Sequence, residues 1–90
     1  MKGNYCVLRV NLITLKTDYL EREITEGEAV GVLDSLFTGF YLGVCTFVEA
    51  AVYNRGIEAV YLPECDYYSF KYEDKCYIAR KMELQDYELN

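Results

Sequence analysis

The stretch PECDYYSFKYEDKCY, residues 63–77, decides how this chain is organised. The segments DYYSFKY and CYIARKM flank the polar pair Glu73 and Asp74, and the first alone carries four aromatic residues. Two such runs around a short polar turn are typical of a β-hairpin. Pro63 predicts a turn or bulge just before the hairpin, because proline cannot donate a ladder hydrogen bond.

The turn at Glu73-Asp74 also predicts the register of the hairpin. Counting outward from it places Cys76 opposite Lys71 and Tyr77 opposite Phe70. Since successive side chains of a strand point to opposite faces, one face of the first strand would carry three rings. These are the rings of Tyr68, Phe70 and Tyr72.

The four cysteines are predicted to be free thiols. Cys6, Cys45, Cys65 and Cys76 show no C-x-x-C spacing, which zinc ribbons and thioredoxin-like sites require. The predicted hairpin leaves Cys65 outside the paired region, so a bridge to Cys76 would exceed the short Cα separation of a disulfide. The sequence therefore predicts neither a metal site nor a cofactor.

The N-terminal part predicts a strand followed by a connection. Residues 5–16 alternate between apolar and polar positions, which indicates a half-buried strand. Residues 17–24, TDYLEREI, are crowded with charge and are interpreted as a connection. At the other end, the tail ELQDYELN, residues 83–90, predicts a short helical turn or a frayed end.

A helix is predicted from Thr25 onward. Thr25 and Glu28 have the spacing of a capping box, and Ile24 can pack against Ala29 as a hydrophobic staple. Gly39 is a natural stop. Apolar residues recur in between at three- and four-residue steps, namely Ala29, Val30, Leu33, Leu36 and Phe37.

The middle of the chain is ambiguous. Residues 43–53 fit either a strand or a helix, and the favoured interpretation is two strands, 43–53 and 57–62, joined by a turn at YNRGI. In the helical alternative, Gly56 would end the helix. The predicted fold is an α+β single domain spanning residues 1–90, with one helix packed on an antiparallel sheet. Its element order is β-α-β-β-β-β, with two C-terminal hairpins and an exposed Tyr- and acid-rich face opposite the helix.

Composition excludes several classes of function. Fifteen acidic against nine basic residues give a formal charge of −6, which disfavours direct binding of DNA or RNA. Histidine is absent, so Ser–His and Cys–His nucleophile pairs cannot form within the chain. An enzyme that uses tyrosine, lysine and carboxylates stays as a remote alternative.

Neither a signal peptide nor a membrane span is predicted. The N-terminal residues lack a continuous apolar segment and a small-residue cleavage site, which favours a cytoplasmic location. A G-x-x-x-G motif at residues 39–43 lies in an apolar stretch, but Asp34 and Glu49 bound it too closely for a helix of about 20 residues that spans a bilayer.

The tyrosines and carboxylates predict a surface that binds protein. Tyrosine is enriched at protein contacts, and the surrounding acids suit a basic partner, in particular a protein that handles nucleic acid. The predicted partner-binding residues are Asp18, Glu21, Glu23, Glu26, Glu64, Asp66, Tyr67, Tyr68, Tyr72, Glu73 and Asp74.

In size and composition alone, the chain is similar to small acidic counter-defence proteins of phages and mobile elements, including anti-CRISPR inhibitors. That similarity implies a non-enzymatic inhibitor, which could act as a nucleic-acid mimic by presenting negative charge to a basic channel. The alternative is a structural or assembly protein that acts as a homodimer.

Overall fold

Antiparallel pairing builds the core of this fold, a five-stranded sheet with the strand order β2-β1-β5-β4-β3. The computed structural model describes residues 2–53 and 57–88. The strands are β1 (Tyr5–Asn11), β2 (Thr17–Ile24), β3 (Ala59–Leu62), β4 (Tyr67–Tyr72) and β5 (Lys75–Lys81). The helices are α1 (Glu26–Phe40), α2 (Phe47–Tyr53) and α3 (Leu84–Tyr87), with a 3-10 turn at Pro63–Cys65. The predicted α+β class, with a long helix packed on an antiparallel sheet, is confirmed.

The β4–β5 hairpin has the predicted register. Lys71 pairs with Cys76 and Phe70 with Tyr77, and the Glu73-Asp74 turn joins the two strands. Glu73 adopts a positive φ of 55°, which supplies the left-handed turn position that a glycine would otherwise fill. The predicted interruption at Pro63 is the start of the 3-10 turn.

Helix α1 begins at the predicted cap. The Glu28 N–H donates to Thr25 Oγ1 at 3.1 Å, and the Thr25 N–H donates to Glu28 Oε1 at 2.9 Å. The predicted stop at Gly39 is wrong, because Gly39 lies inside the helix. The helix continues through Phe40, and the Tyr41 N–H then closes it by donating to the Phe37 carbonyl at 2.9 Å.

The interpretation of residues 17–24 as a connection is wrong, because they form strand β2 at the edge of the sheet. Its pairing with β1 contains two register shifts, and Glu23 has a positive φ of 57°. These irregularities break the alternation that a strand normally shows. The prediction of a half-buried β1 also needs correction, since residues 5–8 are buried on both faces of the sheet.

The predicted strand over residues 43–53 is wrong, because residues 47–53 form helix α2. Two contacts fix its start. The Phe47 N–H donates to Asp34 Oδ1 at 2.8 Å, and the Glu49 N–H donates to Thr46 Oγ1 at 3.1 Å. The predicted strand at 57–62 is present in a shorter form as β3, which pairs with β4 rather than with 43–53. The predicted turn at residues 54–56 lies outside the described residues.

Helices α1 and α2 cover one face of the sheet, here called the front face. Its core is largely aromatic. Phe37 of α1 meets Phe70 edge-on with ring centroids 5.3 Å apart, and Phe40 stacks on Tyr72 at 4.5 Å. Phe47 of α2 packs against Tyr61 of β3 with ring centroids 6.2 Å apart. Its ring also lies 6.1 Å from the rings of Phe37 and Phe70. Such pairs add stability beyond the area that they bury.

The opposite face, here called the back face, is partly covered by α3. Asp86 is fully buried there, and both its carboxylate oxygens accept from the Arg80 guanidinium, at 2.6 and 3.0 Å. The Tyr19 hydroxyl donates to the same carboxylate. These bonds hold the pKa of Asp86 well below its usual range, chiefly through the Arg80 guanidinium. The ion pair therefore fastens the C-terminal turn to the sheet.

The prediction of a Tyr- and acid-rich face opposite the helix is wrong. Tyr68 and Tyr72 belong to the front face, beneath the helices. By strand register, the part of the back face away from α3 mixes aliphatic and polar residues, namely Val10, Val60, Ser69, Lys71, Cys76 and Ile78.

None of the helices within residues 2–53 and 57–88 combines the length and the apolar character needed to cross a membrane.

Candidate protein-binding groove

A groove runs between the outer strand β2 and helix α1. It arises because α1 packs mainly over the central strands, which leaves β2 beside the helix rather than beneath it. The groove has a volume of about 590 Å³ and is open to solvent. Its walls come from Glu21 and Ile24 on the strand side and from Glu28, Gly31, Val32, Ser35 and Leu36 on the helix side.

The floor of the groove is apolar. Ile24, Val32 and Leu36 are half-buried there, packed at the margin of the front-face core. Above Gly31 the groove is open, because a Cβ atom built at that position would meet no atom within 4 Å. The groove can therefore accept an apolar side chain from outside without any rearrangement of the helix.

Two carboxylates stand at the rim of this apolar floor. Glu28 is fixed by the capping box, and the hydrogen bond from the Thr25 backbone lowers the pKa of its carboxyl. Glu28 is therefore ionised at neutral pH. Within the described residues, the Glu21 carboxylate makes no hydrogen bond or ion pair. The rim thus carries negative charge that no cation among the described residues offsets at Glu21.

Two more of the predicted acids lie along the same edge of the sheet. Asp18 pairs with Arg9 at 3.1 Å, and Glu23 pairs with Lys2 at 3.6 Å. Both pairs are substantially exposed, and surface pairs of this kind contribute little to stability. They can exchange partners on binding, so Asp18 and Glu23 extend the acidic edge that begins at Glu21.

Glu26 and Asp66 serve the fold. The Tyr68 hydroxyl donates to Glu26, and the Tyr5 hydroxyl donates to Asp66 Oδ1 at 2.6 Å. Burial raises the pKa of the Tyr5 and Tyr68 hydroxyls far above the ordinary tyrosine value, and the hydrogen bonds to these carboxylates raise it further. Both phenols stay protonated at neutral pH, so neither supplies a base or an anionic nucleophile.

The aromatic members of the predicted surface are placed differently from one another. Tyr68 is only 1% exposed, so its assignment to a partner surface is wrong. The front-face core covers its ring, and a partner could reach it only by opening that core. Tyr72 is half-buried against Phe40, and Tyr67 is half-buried on the back face.

The remaining predicted acids lie apart from the groove. Glu64 is exposed in the 3-10 turn after β3, whereas Glu73 and Asp74 form the β4–β5 turn at the opposite end of the strands. Lys75 donates to Asp74 Oδ1 at 2.9 Å, and this bond lowers the pKa of Asp74. The structure therefore gathers Asp18, Glu21 and Glu23 at one edge and separates them from this second group.

Sequence reasoning missed the helix side of the groove. The sequence pattern assigns Glu28 to capping and Leu36 to the apolar face of the helix, and it gives Gly31, Val32 and Ser35 no role in a site. A signal was present in the i, i+4 spacing of Gly27, Gly31 and Ser35, which leaves one strip of the helix without bulk. This strip forms a groove only because strand β2 lies beside it, and the sequence does not show which strand borders the helix.

Cysteine and metal chemistry add nothing to the groove. All four thiols are free, and burial raises the pKa of Cys6 and Cys76. Cys65 is exposed in the 3-10 turn. Across residues 2–53 and 57–88, no three or more acidic or cysteine side chains are grouped so that they could hold a metal ion.

Two other cavities are smaller. One of about 240 Å³ lies at Tyr41, Glu58, Lys71 and Glu73, where the Tyr41 hydroxyl already donates to the Lys71 carbonyl at 2.8 Å. The other, of about 300 Å³, is a depression on the back face beside Val60 and Cys76. The groove between β2 and α1 is larger than either. It also combines an apolar floor with the Glu21 carboxylate, which forms no ion pair within the described residues.

Comparisons of the chain with protein-family models, with curated proteins and with solved structures gave no match.

Proposed function

We propose that this chain is a non-enzymatic acidic domain that binds a basic surface of another protein, with the groove between β2 and α1 as its contact site. The observation that carries the proposal is the position of the Glu21 and Glu28 carboxylates at the rim of an apolar floor. Apolar contact supplies affinity, and charge selects a basic partner and speeds the encounter.

A protein that handles nucleic acid is the favoured partner. Such proteins carry basic channels that neutralise phosphates, and an acidic domain competes for the same cations. The formal charge of −6 and the acidic edge at Asp18, Glu21 and Glu23 support this mode of action. An inhibitor of the counter-defence kind would work in this way, by occupying the basic channel in place of nucleic acid.

Binding rather than catalysis agrees with the chemistry of the buried groups. Tyr5 and Tyr68 stay protonated because their pKa is raised. The Asp86 carboxylate is already hydrogen-bonded to Arg80 and Tyr19. Cys6 and Cys76 are held as thiols by burial. Groups tuned in these directions stabilise a fold, whereas general acids and bases need a pKa near the working pH.

Affinity capture from the native host at two ionic strengths tests the proposal. The expected result is a stoichiometric complex with a basic protein at low salt that dissociates as salt screens the charges. A complex of unchanged stability from about 0.05 M to about 0.5 M salt would contradict an electrostatic contact. A captured partner without a basic surface would contradict it as well.

Self-association is the second candidate function, and the β3 edge favours it. Strand β3 consists of Ala59–Leu62 and carries no charged side chain, whereas β2 is protected by charge and by its register shifts. Val60 and Leu62 are 37% and 39% exposed. Pairing of two β3 edges would give a mass above 10.5 kDa that rises with concentration in light scattering. A constant monomeric mass would remove this candidate.

A further inference from the structure

We propose that the groove between β2 and α1 receives a basic amphipathic helix of the partner. This inference rests on the proposed function and deepens it by naming the element that the groove recognises. The helix would place an apolar side chain on the floor over Gly31 and set lysine or arginine beside Glu21 and Glu28. Three features of the groove select this occupant over an extended peptide.

The first feature is the irregular edge of β2. An added strand needs a regular row of free backbone groups along the edge that it joins. The two register shifts between β1 and β2 and the left-handed Glu23 interrupt such a row. A helix satisfies its own backbone hydrogen bonds, so it needs only side-chain contacts and is indifferent to these irregularities.

The second feature is the lack of bulk on the groove side of α1. Gly27 and Gly31 are one turn apart, and a Cβ atom at either position would meet nothing within 4 Å. Two helices normally approach to 8–10 Å, and the distance depends on the side chains at the contact. Glycine at the point of contact permits an approach at the short end of this range.

The third feature is the match of charge and apolarity. Ile24, Val32 and Leu36 supply the apolar lining of the groove, and Glu21 and Glu28 line it from the strand and from the helix. A helix with an apolar stripe bordered by cations is complementary to this arrangement on both counts. A purely cationic segment would leave the floor uncovered, and a neutral helix would leave the Glu21 carboxylate without a cation.

The test uses two synthetic peptides of about 15 residues, long enough for a helix. Both contain only leucine and lysine in the same numbers. One places leucine at helical spacing, and the other alternates leucine with lysine as a strand does. Titrations at low salt measure their affinity for the wild-type chain and for the variants Gly31→Gln and Gly39→Gln. Gly39 lies on the same helix, equally open but outside the groove, so its variant is the matched control.

The helical peptide is expected to bind the wild-type chain and Gly39→Gln alike and to bind Gly31→Gln at least about tenfold more weakly, which is about 1.4 kcal/mol. Equal binding of the two peptides to the wild-type chain, tighter binding of the alternating peptide, or equal binding to the two glutamine variants would overturn the inference. Circular dichroism of each variant checks that the fold is intact.

The same variants separate this inference from the proposed function. If a captured basic partner binds Gly31→Gln as tightly as it binds the wild-type chain, the helical occupant is wrong while salt-sensitive binding stands. If no salt-sensitive basic partner exists, the proposed function fails whatever the peptides do.

Discussion

Glu21 of strand β2 and Glu28 of helix α1 line the same groove, one from each wall, although they belong to elements that meet only at the edge of the sheet. The capping box immobilises Glu28, whereas the Glu21 carboxylate makes no ion pair within the described part of the chain. A fixed charge and an uncompensated charge at the rim of an apolar floor make a surface suited to a basic amphipathic element.

Reversal of the charge at Glu21 is expected to weaken partner binding by about tenfold or more, since the change replaces attraction by repulsion at the groove. The variant Glu21→Lys is compared with Glu73→Lys, which makes the same change of charge in the exposed β4–β5 turn. The affinity for the captured partner measures the effect. A loss of similar size in both variants would show that only net charge matters and that the groove has no special part.

The variant Gly31→Ala is expected to stabilise the chain by about 1 kcal/mol, because glycine in a helix interior costs about that much relative to alanine. The added methyl group meets no atom within 4 Å, so no steric cost opposes the gain. For a domain of this size, the midpoint of thermal unfolding would rise by about 4–8 °C. Gly3→Ala is the contrast: its Cβ would lie 2.1 Å from the Ile24 carbonyl oxygen, so a lower midpoint is expected.

Removal of the buried carboxylate in Asp86→Asn is expected to lower the free energy of unfolding by about 3 kcal/mol at neutral pH, since Arg80 loses its partner in a buried site. The pKa of Asp86 is lowered in the folded state. Its stabilising contribution is therefore fully present above the ordinary carboxyl value of about 4 and is lost as the pH falls toward the folded value.

Urea unfolding at a series of pH values checks this sign. The difference in free energy between the wild-type chain and Asp86→Asn is expected to shrink below about pH 4. Glu73→Gln, in an exposed turn, serves as the control and is expected to track the wild-type chain throughout. A difference that stays constant down to about pH 2 would mean that the ion pair does not hold α3 to the sheet.

Thiol labelling of the native chain under reducing conditions is expected to modify Cys65 first. Cys65 is exposed, whereas Cys6 is fully buried and burial raises the pKa of its thiol. Because the thiolate is the reactive species, Cys6 is expected to react only as the chain unfolds. Mass spectrometry of peptides over time measures the order, and early labelling of Cys6 would contradict the packing on the back face.

Local signals in the sequence predicted two parts of the fold correctly. The pair Thr25 and Glu28 indicated the start of α1, and the turn at Glu73 and Asp74 gave the register of β4 and β5. Both depend on interactions between neighbours in the chain, which a sequence displays directly. Thr46 and Glu49 carry the same capping signal for α2, and reading it would have resolved the ambiguity of the middle segment.

Tertiary features could not be predicted in the same way. The alternation of Tyr68 and Tyr72 was recognised, but the sequence does not say which face of a strand the helices will cover. Strand β2 was missed because its charges and register shifts, which protect an edge against further pairing, also erase the periodicity of a strand. The groove depends on where α1 crosses the sheet. The residues of its two walls come from different elements, so no local sequence motif links them.

Displacement of nucleic acid from the captured partner tests the central claim most directly. The partner, loaded with labelled nucleic acid at low salt, is titrated with the wild-type chain and with Glu21→Lys. Competition for one basic channel predicts complete displacement at one chain per nucleic-acid site, with at least about tenfold more of Glu21→Lys required. A ternary complex that keeps its nucleic acid at saturating wild-type chain would contradict the claim.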